Sequence, residues 1–209
     1  MRTFHYRFHF ALALAGLLFG SEASPCEPPP GFVNPPRPDI APLDGLLSHT
    51  EVIEVARPLA TAAQSGNRPL EEAIRPTKDL PGVSGTFRLS NGPYGSVGAR
   101  RFVCLTDGNF SVEEVLLTES NDHGSRFRYV VWNYTSPKFR DVEYAVGEIV
   151  RTAPAPDKTH VNWTYRFALR SGLGAGDRSR FRKDFLEQQF AEWMRSQLER
   201  GRARAEALP

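Results

Sequence analysis

Cysteine is almost missing from this chain: Cys26 and Cys104 are the two in 209 residues, so at most one intramolecular disulfide can form. Charge of one sign is missing as well. Net charge is +2, and removing the first 23 residues takes away Arg2, Arg7 and Glu22 to leave +1, so nothing steers the chain globally onto nucleic acid. The basic cluster Arg178, Arg180, Arg182 and Lys183 is followed by Glu187 and Glu192, the pattern of a solvated helix face. Histidine is sparse beyond the N-terminus. His49, His123 and His160 fall on a strand edge, a turn and an outward strand position, with no metal-ligand spacing among them. No nucleophile elbow of the G-x-S-x-G kind occurs, and no internal repeat is visible. No apolar run after residue 20 is long enough to cross a bilayer, which takes about 20 residues.

The N-terminus is what remains of long apolar sequence. Arg2 and Arg7 precede a short apolar stretch from Phe8 to Gly20, and Ser21-Glu-Ala23 has the small-x-small form that signal peptidase cleaves. Residues 1–23 read as an export signal, cut after Ala23; an uncleaved anchor is the other reading. Pro25 and Ala23 do not fit lipoprotein processing at Cys26. The expected product is secreted or periplasmic and has no membrane span. Arginine well in excess of lysine, with abundant alanine and proline, points to GC-rich bacterial DNA. In an oxidising compartment Cys26 and Cys104 can pair. Otherwise Cys104 is a small buried hydrophobe in a strand and Cys26 is free in a tail.

Proline dominates from Pro25 to Pro42, which favours extended chain and excludes packed helix. Residues 24–45 read as a linker, and 46–209 as one domain. Thr50–Ala56 suggests a first strand, and the turn signals Ser65-Gly-Asn67 and Arg75-Pro76 punctuate short helices after it. Strand patterns then run over 83–89, 100–105, 112–117, 127–134 and 142–150. In a last strand Val161, Trp163, Tyr165 and Phe167 alternate with polar residues, giving one apolar face. A helix follows over about 179–204, its stripe made of Phe181, Phe185, Leu186, Phe190, Trp193, Met194 and Leu198. Short connections imply antiparallel pairing, so the class is α+β with a terminal helix covering a curved sheet. The loop Gly172-Leu-Gly-Ala-Gly-Asp177 has neither the dinucleotide glycine spacing nor a strand after its helix; it reads as a hinge ending in a cap at Asp177 or Ser179. Three Asn-x-Ser/Thr triplets, at Asn109, Asn133 and Asn162, read as chance.

The segments Ser111–Leu117, Arg126–Val131, Tyr144–Val150 and Thr159–Phe167, with the helix after them, resemble the START-like superfamily, in particular the SRPBCC group of polyketide cyclase/dehydrase-like and Bet v 1-like proteins. The resemblance covers residues 49–200 and is one of strand pattern. It implies a helix-grip fold: a curved antiparallel sheet of about seven strands wrapped on a long C-terminal helix, two short helices after the first strand, and a hydrophobic cavity between sheet and helix.

Such a cavity takes apolar ligands oriented by a few polar groups. The residues expected to line it are Tyr129, Tyr144, Trp163, Tyr165, Phe185 and Trp193, the alternative for each being plain core packing. Glu114 and Glu148 are the acid or base candidates, because a carboxylate in an apolar cavity has its pKa raised; surface placement is the other reading for both. The leading expectation is an exported binder of a lipid, polyketide or aromatic molecule, without cofactor or metal. A cyclase or dehydratase using a pocket Glu or Tyr, and a surface-acting protein with a filled core, are the alternatives.

Overall fold

The computed structural model describes residues 26–64 and 68–208. The export signal, the first two residues of the linker and the Ser65–Asn67 turn lie outside the described residues. Seven strands form one antiparallel sheet: β1 (Leu47–Val55), β2 (Val83–Arg88), β3 (Arg100–Leu105), β4 (Phe110–Asn121), β5 (Gly124–Trp132), β6 (Val142–Ala155) and β7 (Lys158–Leu169). Their order is β1-β7-β6-β5-β4-β3-β2, so every consecutive pair from β2 onward is adjacent and β1 closes on β7. Between β1 and β2 stand two short helices, α1 (Leu59–Gln64) and α2 (Leu70–Ala73).

The terminal helical run is longer than its sequence suggests. It comprises α3 (Ala175–Arg180), a π-helical stretch (Phe181–Phe190) and α4 (Ala191–Glu206). The N-cap is Gly174 with no side-chain cap, rather than Asp177 or Ser179. Asp177 lies in the first turn, where its charge is favourable to the helix dipole, and it accepts a hydrogen bond from Arg180. The wider π turn suits the five-residue step from Phe185 to Phe190: both rings, together with Phe181, are buried and stacked along one side. At the far end Arg57 donates to the carbonyls of Glu206 (2.6 Å) and Leu208 (2.8 Å), satisfying acceptors that a helix C-terminus leaves open.

Register places Phe167, Tyr165, Trp163 and Val161 of β7 on the helix side, opposite Ala145, Gly147, Ile149 and Arg151 of β6. With the helix aromatics they form the main core, in which Phe167 meets Phe181, Phe185 and Phe190 edge to face. Burying each such ring stabilises the fold by about 2 kcal/mol.

The proline-rich segment is extended, as its composition predicts, but it is packed rather than loose. Phe32, Ile40, Leu43 and Leu46 lie on the sheet's outer face against Val112, Val130, Trp132, Tyr144 and Val146. Cys26 is disulfide-bonded to Cys104 of β3, and Phe32 stacks edge-on against Phe102. The hydrophobic residues between the prolines supply the grip that a polar tether would lack. Among the described residues no helix is long and apolar enough to cross a membrane.

Candidate functional site

A cavity of about 810 Å³ lies between the inner face of the sheet, the two short helices and α4. That is within the range of natural ligand pockets. Its floor is aromatic: Trp163, Tyr165, Tyr129, Phe190 and Trp193 all line it. Trp163 and Trp193 approach with ring centroids 5.5 Å apart, and Tyr165 stands edge-on to Phe190 at 5.0 Å. The Trp193 indole N–H donates to the carbonyl of Pro81, which also lines the cavity (3.1 Å). Exposed Thr118, Glu119 and Ser120 belong to the rim.

A polar chain crosses this floor. The Trp163 indole N–H donates to the Tyr129 hydroxyl (3.0 Å), which donates in turn to the Tyr165 hydroxyl (2.8 Å). Burial pushes the phenols of Tyr129, Tyr134 and Tyr165 above their ordinary range, so all three stay protonated at neutral pH. They can donate hydrogen bonds but are not standing bases.

Four of the six expected lining residues, Tyr129, Trp163, Tyr165 and Trp193, face the cavity. Phe185 does not reach it. It is packed among Phe139, Phe167, Phe181 and Phe190, where the helix and sheet close together and leave no space. Tyr144 is on the opposite face of the sheet, with its hydroxyl accepting from the Ala41 N–H (2.8 Å).

Both candidate glutamates are also on that outer face. Glu114 is bound by Arg100 (2.5 Å) and Arg37 (3.0 Å). Glu148 is bound by Arg126 (2.6 Å), Arg128 (2.7 Å) and Arg166 (3.5 Å). Burial alone would raise the Glu148 carboxyl, but Arg126 and Arg128 outweigh it and hold the group below its usual value. It is a structural anion, the reverse of a raised catalytic acid.

The carboxylate that does face the cavity is Glu113, one residue along from Glu114. It lies 2.7 Å from the Arg101 guanidinium and accepts the Tyr94 hydroxyl, while Arg101 lies over the Tyr94 ring at 3.7 Å. Burial works against the Arg101 charge, but Glu113 more than restores it. Burial, and next the Glu113 charge, hold the Tyr94 phenol well above its ordinary range. The one available signal for Glu113 was its pairing within Glu113-Glu114, since adjacent strand residues take opposite faces.

No protein-family model matches this chain, and no curated protein matches it either. Solved structures do match. The crystal structure of Ara h 8.0201 superposes with a TM-score of 0.57 at 12% identity, covering 78% of this chain and 100% of the other. A point mutant of norcoclaurine synthase from Thalictrum flavum, in complex with a transition-state analogue, superposes with a TM-score of 0.53 at 13% identity, covering 77% and 96%. With the seven-stranded sheet and the long terminal helix, these likenesses define the class of fold. It is the helix-grip fold of START-like, Bet v 1-like proteins.

Proposed function

We propose that this chain is an exported binding protein that carries a small hydrophobic molecule in the cavity between sheet and helix. The observation that carries the reading is the aromatic floor: Trp163, Tyr165, Tyr129 and Trp193 border about 810 Å³ of space instead of filling it. An apolar guest would gain about 25 cal/mol for each Å² buried there, before ordering costs. Norcoclaurine synthase, in complex with a transition-state analogue, has the same fold, which supports a guest for this one. Export is supported by the Cys26–Cys104 disulfide, a bond that persists in oxidising compartments.

A second reading, a cyclase or dehydratase, is favoured by one feature, the Glu113–Tyr94 pair facing the cavity. The carrier reading accounts better for Glu113, because Arg101 neutralises that carboxylate.

Native mass spectrometry of the protein purified from its own exported fraction, followed by organic extraction, tests the carrier reading. A co-purifying apolar molecule is expected, and Ile149→Trp, which fills space beside Trp163, should abolish its retention. Glu113→Gln should leave retention intact. Turnover of a retained compound by the wild type that Glu113→Gln eliminates would establish the enzyme reading instead. Equal retention by wild type and Ile149→Trp would sink the cavity as the binding place.

A further inference from the structure

Two polar side chains at one end of the cavity have no function in the floor or in the Glu113 cluster. Arg151 of β6 and Ser125 of β5 are directly opposite each other in the ladder, and both line the cavity. Opposed side chains on one face of an antiparallel pair stand about 5 Å apart at Cβ. The next row inward on the same face is Trp163, Ile149 and Phe127. A polar pair therefore borders the apolar floor at a distance of one side chain.

Neither group is satisfied by the protein. The Ser125 hydroxyl is shut off from solvent and has no hydrogen-bond partner among the described residues. Arg151 forms no ion pair with any described residue, whereas Arg101, Arg68 and Arg202 along the same cavity are paired with Glu113, Glu72 and Glu199, and Arg204 donates to the Glu72 carbonyl (2.9 Å). The lining carboxylates are accounted for: Glu113 is held by Arg101 and Tyr94, and Glu119 takes the opposite face, in register with Arg126. Burial pulls the Arg151 guanidinium below its ordinary value, with no anion opposing the effect. A cation kept partly out of water and left uncompensated is a site lacking its counter-charge.

We propose that Arg151 and Ser125 are the head-group site of the cavity, receiving the carboxylate of an amphipathic ligand whose apolar tail lies over Phe127, Ile149 and Trp163. This rests on the carrier reading and narrows its ligand to monoanionic amphiphiles. A carboxylate is the matching chemistry because its two oxygens meet the planar guanidinium fork, its single charge neutralises one arginine, and a χ1 rotation of Ser125 brings its enclosed hydroxyl round to donate to it.

The test uses the full mature chain with dodecanoate and 1-dodecanol, competing against the neutral fluorescent probe N-phenyl-1-naphthylamine at pH 7.5 and physiological salt. Wild type should bind dodecanoate at least tenfold tighter than the alcohol. Arg151→Gln should remove that preference while binding the alcohol and the probe as before, and Arg151→Lys should keep part of it. Ser125→Ala should weaken the acid severalfold and leave the alcohol unchanged. Probe binding with no preference of wild type for the acid would overturn the head-group site and leave the carrier reading standing. So would a preference that survives in Arg151→Gln. Failure of wild type to bind probe, acid and alcohol alike would overturn both.

Discussion

Gly147 lies against the ring of Tyr129: a methyl group added at Gly147 would stand 2.3 Å from the phenol Cζ and 2.5 Å from its oxygen. The missing side chain on β6 is what lets the tyrosine lie across the sheet and reach both Trp163 and Tyr165. Glycine inside a strand weakens the strand, and here it makes room for a ring.

Gly147→Ala should therefore force Tyr129 out of place and break both hydrogen bonds. The expected destabilisation is about 2 kcal/mol, the scale of overpacking in a close-packed core. Urea unfolding measures it, and apolar-probe binding should fall in parallel. A variant of wild-type stability with the probe still bound would show that Tyr129 has another place to go.

Removing Glu113 should be costly for a different reason. Glu113→Leu leaves the Arg101 charge buried without its carboxylate, a loss of about 3 kcal/mol. The double variant with Arg101→Met should recover most of that loss. Equal instability of single and double variants would mean that packing, and not charge, sets the effect.

Glu148 predicts a pH dependence. Arg126 and Arg128 hold its folded pKa below 4.5, so the folded state binds fewer protons than the unfolded chain around that pH. Its stabilising contribution is complete above 4.5 and disappears as pH falls through the lower folded value. In Glu148→Gln, the decline in stability measured between pH 5 and 3 should be shallower than in wild type. An unchanged acid limb would contradict the assignment.

The disulfide closes a loop with a sequence separation of 78, so Cys26→Ala with Cys104→Ala should cost about 4 kcal/mol on the chain-entropy account. The same change should make the segment from Cys26 to Leu46 the first site of limited proteolysis. Resistance there would mean that Phe32, Ile40 and Leu43 hold the segment unaided.

What the sequence made legible, and what it hid, follows from which faces are covered. In β7 the alternation of Val161, Trp163, Tyr165 and Phe167 with polar residues survives, because the other face is partly open, and it identifies the cavity side. In β6 it is erased. Tyr144, Ala145, Val146, Gly147 and Glu148 are all buried, since the N-terminal segment covers the outer side. With no polar face to set the phase, the pattern of β6 places Tyr144 on the cavity side, where it does not lie, and leaves both sides open for Glu148. Irregular pairing between Val115 and Leu117 similarly obscures the phase of β4, on which Glu113 and Glu114 exchange roles. Phe185 has the right phase on the helix but sits where sheet and helix meet closely. Arg151 is two residues beyond Ile149 on the same strand, and only the ladder shows that it looks inward without a partner.

The covalent anchor at Cys26 also determines how the domain bears load. Any tension applied through the chain ahead of residue 26 enters at β3, across the Cys104 sulfur, before it can peel the packed segment from the sheet. β3 is two strands removed from β5 and three from β6 in the sheet order, and the bond lies away from the long helix. Pulling on that end would strain the β2–β3–β4 region first, ahead of the floor residues on β5 and β7.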